Sequence, residues 1–94
     1  MHVRWLRQAL RNLDEEASYI AQEDPKAAQR AVQRVLDSVA MLVDQPGIGR
    51  PGRVPGTREL VVLRTRYIVP YRVRGETIEV LRVFHTSRRL PSHW

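Results

Sequence analysis

At residues 45–57 the chain changes its hydrophobic period, and that change limits the folds open to it. The segment QPGIGRPGRVPGT holds four Gly and three Pro in thirteen residues. Before it, apolar residues recur at helical spacing; after it, they alternate as in strands. Leu6, Leu10, Leu13, Ala17 and Ile20 step by 4, 3, 4 and 3 and predict one apolar stripe on a first helix. Charged Arg7, Arg11, Asp14, Glu15 and Glu16 fall to its solvated side, and no capping residue marks its start. Asp24-Pro25 supplies a cap and a first-turn proline for a second helix. Ala28, Val32, Val35, Val39 and Leu42 repeat the same step, and Gln45-Pro46-Gly47 ends it. So short a connection between the helices predicts an antiparallel hairpin.

Four β-rich runs complete the pattern. HVRW (2–5) precedes the helices, and RELVVL (58–63), RYIVPYRV (66–73) and TIEVLRVFHT (77–86) follow the loop. The last three are joined by short turns, as in an antiparallel meander. Pro70 lies inside the second of these runs, and a proline cannot donate to a ladder, so it implies a bulge or an N atom turned away from a partner. RRLPSHW reads as a tail, with Trp94 packing back on the body. The order β-α-α-β-β-β predicts an α+β domain of two layers, a helical hairpin on a mostly antiparallel sheet, with residues 1–94 forming one domain.

Charge is unevenly placed. The net charge is +6, but residues 1–49 carry −1 and residues 50–94 carry +7, and fifteen of the sixteen basic residues are Arg. A basic half implies an acidic partner, either nucleic acid or an acidic protein segment. The chain has no cysteine, which removes disulfides and thiolate metal sites. His2, His85 and His93 lack metal-ligand spacing, so neither a metal nor another cofactor is expected. PGIGRPG follows a helix and precedes a strand, the reverse of a phosphate-binding loop, and reads as a turn-rich connection. No apolar run approaches a membrane span and MHVRWLRQAL lacks the apolar core of a secretory signal, so a cytoplasmic protein with no membrane partner is expected.

Metal-free cleavage of RNA would need a base, an acid and cations about the phosphorane. The cations are present in Arg58, Arg64, Arg66, Arg72, Arg82, Arg88 and Arg89, and His85 has the right chemistry for proton transfer. Tyr67 and Tyr71, which share a face by period 2, and Glu59 and Glu79 are the candidates for a second proton carrier. The ordinary reading of His85 is a histidine that ends a strand.

PGIGRP, RELVV, YIVPYRV and IEVLRVFHTSR, in that order, resemble the RelE/ParE superfamily of toxins from bacterial type II toxin–antitoxin systems. The resemblance covers about residues 2–90. It implies a first strand that joins the sheet beside the C-terminal strands, and a cognate antitoxin whose other end binds operator DNA. Some members of the superfamily cut mRNA on the ribosome; others inhibit DNA gyrase. The cutting branch carries an arginine in its penultimate strand and a His-Tyr pair at the end of the last. Aligned on Tyr71–Val73, those places fall on Ile68 and on His85-Thr86, so the tyrosine is absent. The sequence is thus more similar to the ParE branch. That implies a gyrase-binding toxin, not an enzyme, whose contact surface includes Arg82, His85, Arg88 and Arg89, and whose antitoxin covers Leu10 and Leu13. The alternative is a ribosome-dependent mRNA endonuclease with His85 as acid or base and Arg82 or Arg66 on the phosphate. A third reading is a general basic nucleic-acid-binding module.

Overall fold

The computed structural model describes residues 1–87 and Trp94. Strand β1 (His2–Trp5) leads into helix α1 (Arg7–Ala21), which turns back through α2 (Pro25–Ala40) and a 3₁₀ turn at Met41–Val43. β2 (Arg50–Pro51), β3 (Arg58–Val61), β4 (Tyr67–Arg74), β5 (Thr77–Val80) and β6 (Phe84–His85) follow. The sheet runs β1-β5-β4-β3-β2, with β6 also paired to β4. Among the described residues, only the β1–β5 pairing is parallel, with His2 opposite Thr77 and Trp5 opposite Val80. This is the expected two-layer α+β architecture, including the first strand beside the C-terminal ones. Among the described residues, no helix is long and apolar enough to cross a membrane.

The core lies between the helices and one face of the sheet. Val35, Val39 and Leu42 from the second helical segment meet Leu60, Val62, Tyr67, Val69, Tyr71, Ile78 and Val80. Asp24 caps α2 by accepting from the Ala27 N–H at 3.0 Å, as its sequence predicts. α1 has no side-chain cap; the Leu6 N–H instead donates to the Val80 carbonyl and ties the helix start to β5.

α1 is rotated from the expected stripe. Ala9 is fully buried, whereas Leu10 is 51% exposed and Leu13 is partly buried against the core. Ala9 packs into the core cluster, and Leu10, its neighbour on the helix, is turned outward. Glu16 corrects a second expectation. It is buried instead of solvated, because the Tyr67 hydroxyl donates to its carboxylate at 3.1 Å.

The loop and the last strand also differ from their sequence outline. Arg50-Pro51 forms a short strand against β3, so the loop is partly sheet. Tyr71 explains the glycines that precede it. Its fully buried hydroxyl donates to the Pro46 carbonyl at 2.8 Å and accepts from the Gly49 N–H at 2.9 Å. A Cβ on Gly49 would come within 2.6 Å of the tyrosine ring. PGIG is therefore a seat for a tyrosine. The expected 77–86 strand breaks at Leu81–Val83, so that Val69 and Pro70 of β4 face three residues. This is a bulge in the neighbour of Pro70, and Pro70 itself is buried within the sheet. The Leu81 N–H donates to the Pro70 carbonyl at 2.9 Å, but Pro70 has no N–H to return. The Arg82 guanidinium donates to the Leu81 carbonyl instead, at 2.7 Å, and the Val83 N–H donates to Asn12 Oδ1 at 3.2 Å.

Candidate functional site

The break in the last strand decides which side chains can meet. β6 pairs with the start of β4, setting His85 opposite Tyr67 on the helix-facing side and Phe84 opposite Ile68 on the other. The two rings of the first pair meet edge to face, with centroids 5.3 Å apart. Beside them the β3–β4 turn projects, held by Thr65, whose hydroxyl donates to the Val62 carbonyl at 2.8 Å and accepts from the Tyr67 N–H at 3.0 Å. Arg64 at its tip has φ 63°, a left-handed conformation that costs a non-glycine residue about 1 kcal/mol. Across the gap, Arg34 of α2 donates to the Arg64 carbonyl at 3.1 Å.

These elements enclose an open cleft of about 610 Å³. Arg30 and Arg34 line one wall, Arg64 and Arg66 the other, and Tyr67, His85 and Glu16 lie between, with Tyr19 at the side. Tyr19 is 68% exposed. The structure therefore brings together four of the residues that sequence reasoning named, Arg64, Arg66, Tyr67 and His85, and adds arginines from α2 that it missed. The available signal was the i, i+4 spacing of Arg30 and Arg34, which puts two like charges on one helix face.

The remaining candidates lie elsewhere. Arg82 is turned to the backbone: besides the Leu81 carbonyl it donates to the Trp94 carbonyl at 2.7 Å, and the Trp94 ring lies 5.3 Å from that of Phe84. Trp94 thus packs back on the body as expected. Glu59 and Glu79 are on the far face of the sheet, away from His85. Burial alone would raise the Glu59 carboxyl, but hydrogen bonds from the Arg53 side chain and N–H and from Arg50 outweigh it and hold the group down to about 2. The Arg72 hydrogen bond at 2.5 Å holds Glu79 below the ordinary carboxylate range. Both are ion-pair anchors between strands, a poor state for proton transfer. Burial pushes the Tyr71 hydroxyl up, and it serves the loop. Leu10 and Leu13 are on α1, outside the lining of the cleft. Arg88 and Arg89 lie outside the described residues.

The protonation geometry of His85 limits its chemistry. The Ser87 backbone N–H donates to Nδ1 at 3.2 Å, and the Ser87 hydroxyl lies 2.6 Å from the same atom. A backbone N–H can only donate, so Nδ1 is an acceptor there and the neutral ring carries its proton on Nε2. In this arrangement the histidine offers a donor. Thr86 is exposed, and its N–H donates to the Arg66 carbonyl at 2.7 Å.

Fold and cleft together describe a small cationic protein of the toxin type that the sequence resembles. Residues 3–90 match the family described as ParE toxin of type II toxin-antitoxin system, parDE. The chain belongs to the ParE toxin family. It is 45% identical over 89 residues to Y4kP of Sinorhizobium fredii, covering 95% of this chain and 92% of that protein. It is 34% identical over 86 residues to Toxin RelE2 of Caulobacter vibrioides, covering 92% and 96%. Among solved structures, the chromosomal ParDE toxin–antitoxin system from P. aeruginosa contains a chain with 36% identity and a TM-score of 0.81, covering 90% of this chain and 95% of that one.

Proposed function

We propose that this toxin acts by binding, with DNA gyrase in the cytoplasm as its target, and that a cognate antitoxin neutralises it. The observation that carries the reading is the state of His85. Its Nδ1 is occupied by Ser87, and Thr86 follows it where a cutting relative places a tyrosine. The cleft holds cations in abundance, but its one carboxylate among the described residues, Glu16, already accepts from the Tyr67 hydroxyl. That arrangement suits attraction of an acidic target better than a proton relay. Expression of the chain alone should cause filamentation with DNA damage, and co-expression with the antitoxin should relieve it. Immediate arrest of translation without DNA damage would contradict the reading.

The antitoxin is proposed to be an acidic, amphipathic segment that meets the exposed side of α1, with operator DNA reached only through it. Leu10 is the aliphatic residue that α1 leaves more than half exposed. Leu10→Glu should weaken the toxin–antitoxin complex about tenfold or more in a titration and leave thermal stability unchanged; equal affinity would place the contact elsewhere.

A second reading, mRNA cleavage on the ribosome, is favoured by one observation: the cleft sets His85 beside Arg66. It predicts that His85→Ala abolishes toxicity while the fold and antitoxin binding persist.

A further inference from the structure

The edge of a sheet carries unpaired backbone groups, and folded proteins ordinarily protect it with charge, proline or cover. Two edge stretches of this sheet are protected in that way: β1 presents His2 and Arg4 to solvent, and β2 is Arg50-Pro51. A third is not. β2 reaches only Arg58 and Glu59 of β3, so Leu60-Val61-Val62-Leu63 runs on beyond it with no strand on that side among the described residues. The Val62 N–H donates to the Tyr67 carbonyl at 3.1 Å, toward β4. Strand alternation therefore turns the Val61 N–H and carbonyl, and the Leu63 N–H, outward. Among the described residues no backbone group accepts from the Leu63 N–H. The side chains match this open edge. Val61 is 48% and Leu63 77% exposed, and with Met41 and Ile48 they line a groove of about 310 Å³ along it.

We propose that a second copy of this chain pairs antiparallel with this edge, Val61 of each copy opposite Leu63 of the other about a two-fold axis at Val62. The register follows from the outward groups. Each Leu63 N–H meets a Val61 carbonyl, and each Val61 side chain lies beside a Leu63, so the patch is its own complement, as a two-fold interface requires. Size selects a strand as the occupant. One turn of helix with side chains takes roughly 500 Å³, from a diameter of about 11 Å and a pitch of about 5.4 Å, which is more than the groove holds. Charge selects a copy over an acidic segment. The charged residues of the groove, Arg50 and Glu59, already pair with each other, and residues 60–63 carry no charge, so the groove offers a carboxylate no free cation. An exposed apolar patch of this kind covers roughly 300–600 Å², against about 800 Å² per partner in a standard interface. The dimer is therefore reversible, with a Kd on the order of 10 µM. Its surface is separate from the cleft and from the exposed side of α1, so the pairing can fail without the target and antitoxin readings, and they without it.

The test is sedimentation velocity of the purified full chain, without antitoxin, from about 1 to about 200 µM, a range that brackets this affinity. The weight-average mass should rise from that of one chain toward that of two. Val61→Lys and Leu63→Lys each put a charge on the open edge and should weaken the dimer at least about tenfold. Val73→Lys, the same change at an exposed valine of β4 outside the groove, should stay within about twofold of the parent. Circular dichroism and thermal melts confirm that each variant is folded. The register is read by cross-linking, since the chain has no cysteine of its own. Opposite residues of a hydrogen-bonded antiparallel pair have Cα atoms about 5.5 Å apart, within reach of a disulfide, whereas diagonal neighbours at about 7–8 Å are not. Val61→Cys mixed with Leu63→Cys should therefore oxidise to a covalent dimer at least about fivefold faster than either variant alone. A single-chain mass throughout the concentration range overturns the proposal. So does a dimer that Val61→Lys and Leu63→Lys leave as stable as the parent's, which would place the contact on another face. Equal cross-linking in the three samples would overturn the strand pairing.

Discussion

Tyr71 links the central strand of the sheet to the loop that precedes it through one hydroxyl, which both donates to Pro46 and accepts from Gly49. Tyr71→Phe keeps the ring and leaves those two backbone groups without their partner. A buried group left unsatisfied costs about 1–3 kcal/mol. The variant should lose about that much in urea denaturation; a change below about 0.5 kcal/mol would mean the loop is held by other means. Glu59 makes a second prediction at this scale, read from pH. Its folded value of about 2 lies below the ordinary 4.5, so its stabilising effect is complete above about pH 4.5 and is lost as pH falls toward 2. Acid melts should show this loss, on the order of 2 kcal/mol once the partial exposure of Arg50 and Arg53 is allowed for. Glu59→Gln should flatten the acid limb between pH 4.5 and 2 and lower stability at neutral pH. An unchanged acid limb in the variant would remove Glu59 from the account.

The elements were legible to different degrees, for physical reasons. Asp24-Pro25 marked α2 because capping is local chemistry, written in adjacent residues. The inward face of α1 was not legible from its leucines. Ala9 and Leu10 are neighbours, and the 4, 3 step fits either side of the apolar arc, so packing against the sheet decides which turns inward. Glu16 was misread for a similar reason: its partner Tyr67 is 51 residues away, and no spacing rule connects them. The break of the 77–86 run follows from Pro70 on the neighbouring strand, which the sequence displays, but its compensation by Arg82 depends on tertiary position. That compensation is testable. Arg82→Ala should cost about 1–2 kcal/mol in the parent, since the Leu81 carbonyl loses its donor. In a Pro70→Val background, where a backbone N–H becomes available, the same change should cost less. A double-mutant cycle with no coupling would show that Arg82 and Pro70 act independently.

At the scale of the whole molecule, charge by sequence half is a poor map of charge by surface. The second half carries the +7, yet the fold sends Arg50, Arg53, Arg72 and Arg74 to a far face where they pair with glutamates, and Arg64 and Arg66 to a cleft where they meet Arg30 and Arg34 from the first half. Of the sequence's candidates, Arg64, Arg66, Tyr67 and His85 converge at that cleft, while Arg82 secures the end of the chain. The site was therefore half legible: the β-strand end was visible, and the helical wall opposite it was not.

The central claim, action by binding and not by cutting, is tested most directly with two purified reactions run in parallel: gyrase supercoiling of relaxed plasmid, and mRNA integrity on translating ribosomes. The account predicts that the toxin blocks supercoiling in proportion to its concentration and leaves the message intact, and that His85→Ala, a change at the contact surface, weakens the inhibition without abolishing it. Untouched supercoiling together with cut mRNA, abolished by His85→Ala, would contradict it.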